Sequence, residues 1–124
     1  MKEDLDKVNN NRFSLYTKIN KFTIYSRKYI INLIPKVHTD IKIHYTDELY
    51  NLSKNMFYST YNKGNIRMKY LIELQVNISL LDMLLNILKS DKIIKNHNID
   101  VAISSLSDIK NIIYGWKFNE EKTK

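Results

Sequence analysis

The residues able to do acid–base or metal chemistry are few: His38, His44 and His97, the glutamates Glu3, Glu48, Glu73, Glu120 and Glu121, and no cysteine. A dinuclear metal site in a helical protein draws a Glu-x-x-His pair from each of two helices, so that ligands converge. No glutamate here stands three before a histidine. His38 and His44 come closest to a pair, but a spacing of six puts them on opposite sides of a helix. An Arg followed four to six residues later by a His, the arrangement by which small helical RNases serve a ribose 2′-hydroxyl, is missing as well. So are a Gly-rich phosphate loop and a nucleophile elbow. Glu73 and Asp82 read as surface or interhelical charges. The expectation is a protein that is not an enzyme, with no catalytic residue, no metal site and no cofactor.

Cations offer a different chemistry. Between Arg12 and Lys42 lie Arg12, Lys18, Lys21, Arg27, Lys28, Lys36 and Lys42 against the single acid Asp40, a local +6 out of a total of +7. Lys63, Arg67 and Lys69 form a second cluster. Side chains of this type meet phosphates as point charges and release counterions, which gives salt-dependent, weakly sequence-selective binding to RNA or DNA. A solvated lysine face that only keeps the protein soluble is the competing reading. Aromatic residues interleave with the charges: Phe13, Tyr16, Phe22, Tyr25 and Tyr29, then Tyr45, Tyr50, Phe57, Tyr58 and Tyr61. Such rings can stack on bases. Core packing is the expectation for Phe22, Tyr45 and Phe57, and a partly wet subunit interface for Tyr16, Tyr25 and Tyr58.

Composition sets the bounds. A chain of 124 residues, 44% apolar and with a pI near 9.5, is one domain with a real core and a preference for polyanionic company. The absence of cysteine removes a disulfide scaffold and a thiolate metal site, and suits a reducing cytoplasm. No run of about eighteen apolar residues and no signal peptide can be read, so no membrane role is expected.

The elements that position these residues are read from the breakers. The only proline and the two glycines are Pro35, Gly64 and Gly115, between or at the ends of stretches of helical periodicity. Leu15, Ile19, Phe22, Ser26, Ile30 and Leu33 step by three or four, with Ser26 a small gap in the stripe, Ser14 as N-cap and Pro35 as terminator. Ile41, Tyr45, Leu49, Leu52 and Met56 continue from a cap at Thr39 to a stop at Gly64. Met68, Leu71, Leu74, Ile78, Leu81, Leu85 and Leu88, widened by Leu80, Leu84 and Ile87, follow a cap at Asn65. Ala102, Leu106, Ile109, Ile113 and Trp116 form the last stripe, with Gly115 in its final turn. The spacing predicts an all-α protein: a flexible arm 1–13, an up-down-up-down antiparallel four-helix bundle over 14–118 with helices at about 15–34, 40–62, 66–89 and 99–117, and a disordered tail 119–124.

Over about residues 15–118, a first helix ending in Ile34-Pro35-Lys36, a long second helix, a leucine-rich third and a fourth ending at Asp108-Ile109-Lys110-Asn111-Ile112-Ile113-Tyr114-Gly115-Trp116 together resemble the accessory variability determinant proteins of diversity-generating retroelements. The same pattern is similar to their relatives, the four-helix-bundle proteins encoded in 23S rRNA intervening sequences. Pro35, Lys36, Asp108, Gly115 and Trp116 match the family's motifs, while Lys110, Asn111 and Tyr114 stand where it has a Gly, an Arg and a Gly. The resemblance implies a non-catalytic accessory subunit, assembled as a homopentameric barrel, that associates with a reverse transcriptase and with template RNA to support mutagenic cDNA synthesis. The alternative is a self-associating structural bundle of the intervening-sequence type with no specific nucleic-acid role.

Overall fold

The computed structural model describes residues 2–122, and the side chains of residues 13–122. Four helices make up the fold among these residues: α1 (Lys2–Tyr29), α2 (Thr39–Tyr61), α3 (Gly64–Ser90) and α4 (Asn96–Lys122). Two short 3-10 turns, Ile31–Leu33 and Lys36–His38, join α1 to α2. α1 packs on α4, α4 on α3 and α3 on α2, while α1 and α2 touch more lightly. The result is a four-helix bundle with one looser seam.

The apolar stripes are the core. Leu15, Ile19, Phe22 and Ile30 of the first stretch are buried, as are Tyr45, Leu49, Leu52 and Met56 of α2. Leu71, Leu74, Ile78, Leu81, Leu84, Leu85 and Leu88 fill the centre from α3, against Ala102, Leu106, Ile109, Ile113 and Trp116 of α4. The gap at Ser26 is filled from the adjacent helix α2: its Oγ lies 2.8 Å from the buried Tyr45 hydroxyl. Leu33 and Phe57 depart from the expected core, at 49% and 43% exposed. Leu33 sits in a 3-10 turn, whose tighter winding carries it off the α-helical stripe.

α3 has an 18-residue window of mean hydropathy 1.5, enough by length and composition to cross a membrane. α3 lies between α2 and α4, which bury 44% of that window, while Ile72, Val76 and Met83 of the same helix stay exposed.

The breakers act differently from their expected roles. α1 ends at Tyr29, well before Pro35; the proline instead holds Ile34 in an extended conformation (φ −77°, ψ 120°) between the two 3-10 turns. Gly64 has φ +61°, the left-handed conformation, but it opens α3 after two extended residues, Asn62 and Lys63, rather than capping α2. Asn65 is therefore inside the helix, and the residue at the N-cap position, Lys63, makes no side-chain cap. Gly115 lies within α4, exposed, with nothing within 4 Å of where a Cβ would be. It terminates nothing, and α4 continues through the expected tail to Lys122.

Thr123 and Lys124 of that tail lie outside the described residues. At the other end the helix runs through the expected arm from Lys2, so Ser14 is not a cap. α3 ends at Ser90, one residue past the expected end, and the left-handed position that follows is Lys92, with φ +56°. There Ile93 N–H donates to Leu88 O (2.9 Å) and Lys92 N–H to Lys89 O (3.1 Å), a Schellman closure with lysine in the usual glycine position.

Candidate nucleic-acid interface

α1 carries its core stripe on one side, which leaves the cations of the same helix facing water. Lys18, Lys21, Arg27 and Lys28 are all exposed. Lys18 Nζ leans toward Asp108 of α4 at 3.9 Å, and Arg27 Nη1 donates to the Tyr50 hydroxyl of α2 at 3.4 Å. The two thus flank the helix on opposite sides. The Lys18–Asp108 pair is half in water, where such contacts contribute little and leave the cation available. Lys28 Nζ lies 5.3 Å from the centre of the Tyr29 ring, which itself stands 4.9 Å from the Tyr25 ring.

Two contacts bring a further group of cations to this end of the bundle. The Tyr25 hydroxyl donates to Asn98 O (3.1 Å) and Asn98 Nδ2 donates to Tyr29 O (3.4 Å), so the link between α3 and α4 is fastened beside the end of α1. Burial, and then the neighbouring Tyr29, push the Tyr25 phenol above its ordinary range, so the donor, protonated at neutral pH in any case, resists ionisation further. The link brings the exposed Lys92 and Lys95 to the same end as Lys28, with Lys36 exposed in the turn that follows α1 and Lys42 half-buried in the first turns of α2. Lys89 pairs with Asp100 at 2.8 Å, with both side chains about half in water. The exposed acids near these links are Asp40, Asp91 and Asp100, the last of them paired with Lys89. Sequence reading missed Lys92 and Lys95 as part of this group, because only the lengths of the helices bring the two links together.

The second expected cluster does not hold together. Lys63 and Lys69 are exposed near the junction of α2 and α3, whereas Arg67 is 4% exposed and unavailable to phosphate. Its Nε donates to Ser59 O (2.8 Å), its Nη1 to Glu120 Oε2 (3.2 Å), and its guanidinium lies 5.2 Å from the centre of the Trp116 rings. Glu120 Oε1 also accepts the Gly64 N–H at 2.8 Å. Arg67 is therefore a structural cation, paired by a glutamate expected to be in the tail. Arg67 Nη2 and Trp116 Nε1 have no hydrogen-bond acceptor among the described residues. Of the family-like positions, Trp116 is wholly buried under Arg67, and Pro35, Asp108 and Gly115 are exposed. Arg12, counted with the basic stretch, has its side chain outside those described.

Among the described residues no three His, Asp or Glu side chains gather as metal ligands would, and His38 and His44 lie on separate elements. No family model, curated protein or solved structure matches the chain.

Proposed function

We propose that this protein is a non-catalytic nucleic-acid-binding accessory subunit of the kind found in diversity-generating retroelements. In that role its bundles, running up-down-up-down, assemble into a homopentameric barrel in the cytoplasm and associate with a reverse transcriptase and its template RNA. The observation that carries the binding part is the exposed basic end. Lys28, Lys36, Lys92 and Lys95 cluster where two links meet, and Lys18, Lys21 and Arg27 extend the charge along α1. Polyanions are drawn to such a surface by counterion release, with little demand on base sequence. The short connections and the meeting of the two links support the alternating helix directions. A gel-shift assay with RNA and DNA at physiological salt tests the reading, and retarded complexes are expected.

A second reading rests on the looser seam. Phe13 and Tyr61 are 73% and 80% exposed, and Phe57 lies 6.4 Å from both the Tyr16 and the Tyr61 rings. Exposed aromatic residues on this scale suit a self-associating structural bundle. Stable oligomers that shift neither RNA nor DNA would favour that alternative.

A further inference from the structure

The groove between α2 and α3 has a composition unlike the basic end. Two tyrosines in its lining, Tyr58 and Tyr70, stack on each other with ring centres 4.7 Å apart and planes within 19°. Each carries a cation: Lys54 Nζ lies 5.9 Å from the Tyr58 ring centre and Lys69 Nζ 5.5 Å from that of Tyr70. Beside them runs a chain of polar groups. Asn55 Nδ2 donates to Asn77 Oδ1, and Asn77 Nδ2 donates to Glu48 Oε2, both at 2.8 Å. Asn77 is 7% exposed, so its amide forms the floor of the groove. The groove is open to solvent, with a volume of about 510 Å³, and Glu73 and Asn51 stand on its walls.

The charges say what fits. Lys54 and Lys69 are balanced by Glu48 and Glu73, so the groove is locally neutral in a strongly basic protein. A duplex keeps its bases paired and stacked, so it brings only its sugar–phosphate backbone to the groove and leaves the rings and amides unused. A nucleobase presents an aromatic face together with a mixed edge of donors and acceptors, which matches tyrosines, amides and carboxylates set side by side. The phosphates on either side of that base would meet the two lysines. We infer that the α2–α3 groove is a base-accepting subsite for single-stranded nucleic acid, in which an unpaired base lies against the Tyr58–Tyr70 pair and its edge reaches the Asn77 floor. This rests on the nucleic-acid reading above and adds to it a preference for single strands.

The test compares fluorescently labelled single-stranded oligouridine and oligothymidine of about twelve nucleotides with an RNA hairpin duplex of equal length, by anisotropy. In Tyr58→Leu/Tyr70→Leu the affinity for both single strands is expected to fall about tenfold or more, the loss of one stacked base, with the duplex nearly unchanged. Tyr58→Phe/Tyr70→Phe keeps the rings and should restore single-strand binding. Val76→Glu, at an exposed position in the groove (53% exposed), leaves the core untouched and should show the same selective loss. Loss for only one of the two oligonucleotides would mean that the sugar is read as well, and would assign the subsite to RNA or to DNA. Equal loss for single strand and duplex, or no loss in either, overturns the groove subsite while the basic end keeps its role. A wild-type protein that binds none of the probes overturns both.

Discussion

Arg67 and Glu120, 53 residues apart in sequence, meet at 3.2 Å with side chains only 5% and 8% exposed, and so fasten the start of α3 to the end of α4. Removing one partner leaves a buried charge uncompensated, which costs about 3–5 kcal/mol, whereas replacing both with apolar groups of similar size comes close to neutral. Arg67→Met and Glu120→Leu are each expected to lower the urea midpoint strongly, and the double variant to recover most of the loss. Deleting residues 119–124 should cost as much as Glu120→Leu. Nucleic-acid affinity, read on the folded fraction, should be unchanged, since Arg67 never reaches the surface.

Three backbone positions give stability changes of opposite sign. Gly64 has open space around its missing Cβ but a φ of +61°, so Gly64→Ala is expected to destabilise by about 1–2 kcal/mol through backbone strain alone. Gly115 has the same open space and a helical backbone, so Gly115→Ala should stabilise an isolated protomer by about 0.5–1 kcal/mol. Lys92→Gly relieves the strained helix stop at φ +56° and should add up to about 1 kcal/mol. Thermal melts of the three variants check the order.

Burial raises the Tyr45 phenol well above its ordinary 10.0, with the Ser26 hydrogen bond opposing and Tyr25 adding slightly. The neutral phenol is the form that fits the core. Its contribution is complete below pH 10 and is lost as pH rises further, because the unfolded chain then ionises while the folded one resists. The loss is at most about 1.4 kcal/mol per pH unit. Urea midpoints measured up to about pH 11 should fall above pH 10. Tyr45→Phe should flatten that fall, at a cost of about 1 kcal/mol near neutrality from the lost bond to Ser26.

The stripes were legible because burial on one side of a helix imposes its period on the sequence: Leu15, Ile19 and Phe22, or Leu81, Leu85 and Leu88, are buried as their spacing requires. Helix ends were less legible, because they depend on partners far away in sequence. Nothing near Glu120 announces that Arg67 will hold it, so a polar segment reads as tail. Nor does any glycine mark Lys92, where the backbone hydrogen bonds and the packing of Ile93 on the core impose the turn. Lys18, Lys21 and Lys28 were legible as a charged run. The burial of Arg67, and the arrival of Lys92 and Lys95 beside α1, belong to tertiary packing.

The most direct measurement is RNA affinity as a function of salt, for the wild type and for Lys21→Glu/Lys28→Glu, two exposed residues clear of every core contact. The expected result is a linear fall of log affinity with log salt, in which each lost phosphate contact lowers the slope by about 0.7–0.9. The double variant should show both a flatter slope and weaker binding at physiological salt. An affinity that hardly changes with salt, or that survives reversal of both charges, would contradict the account.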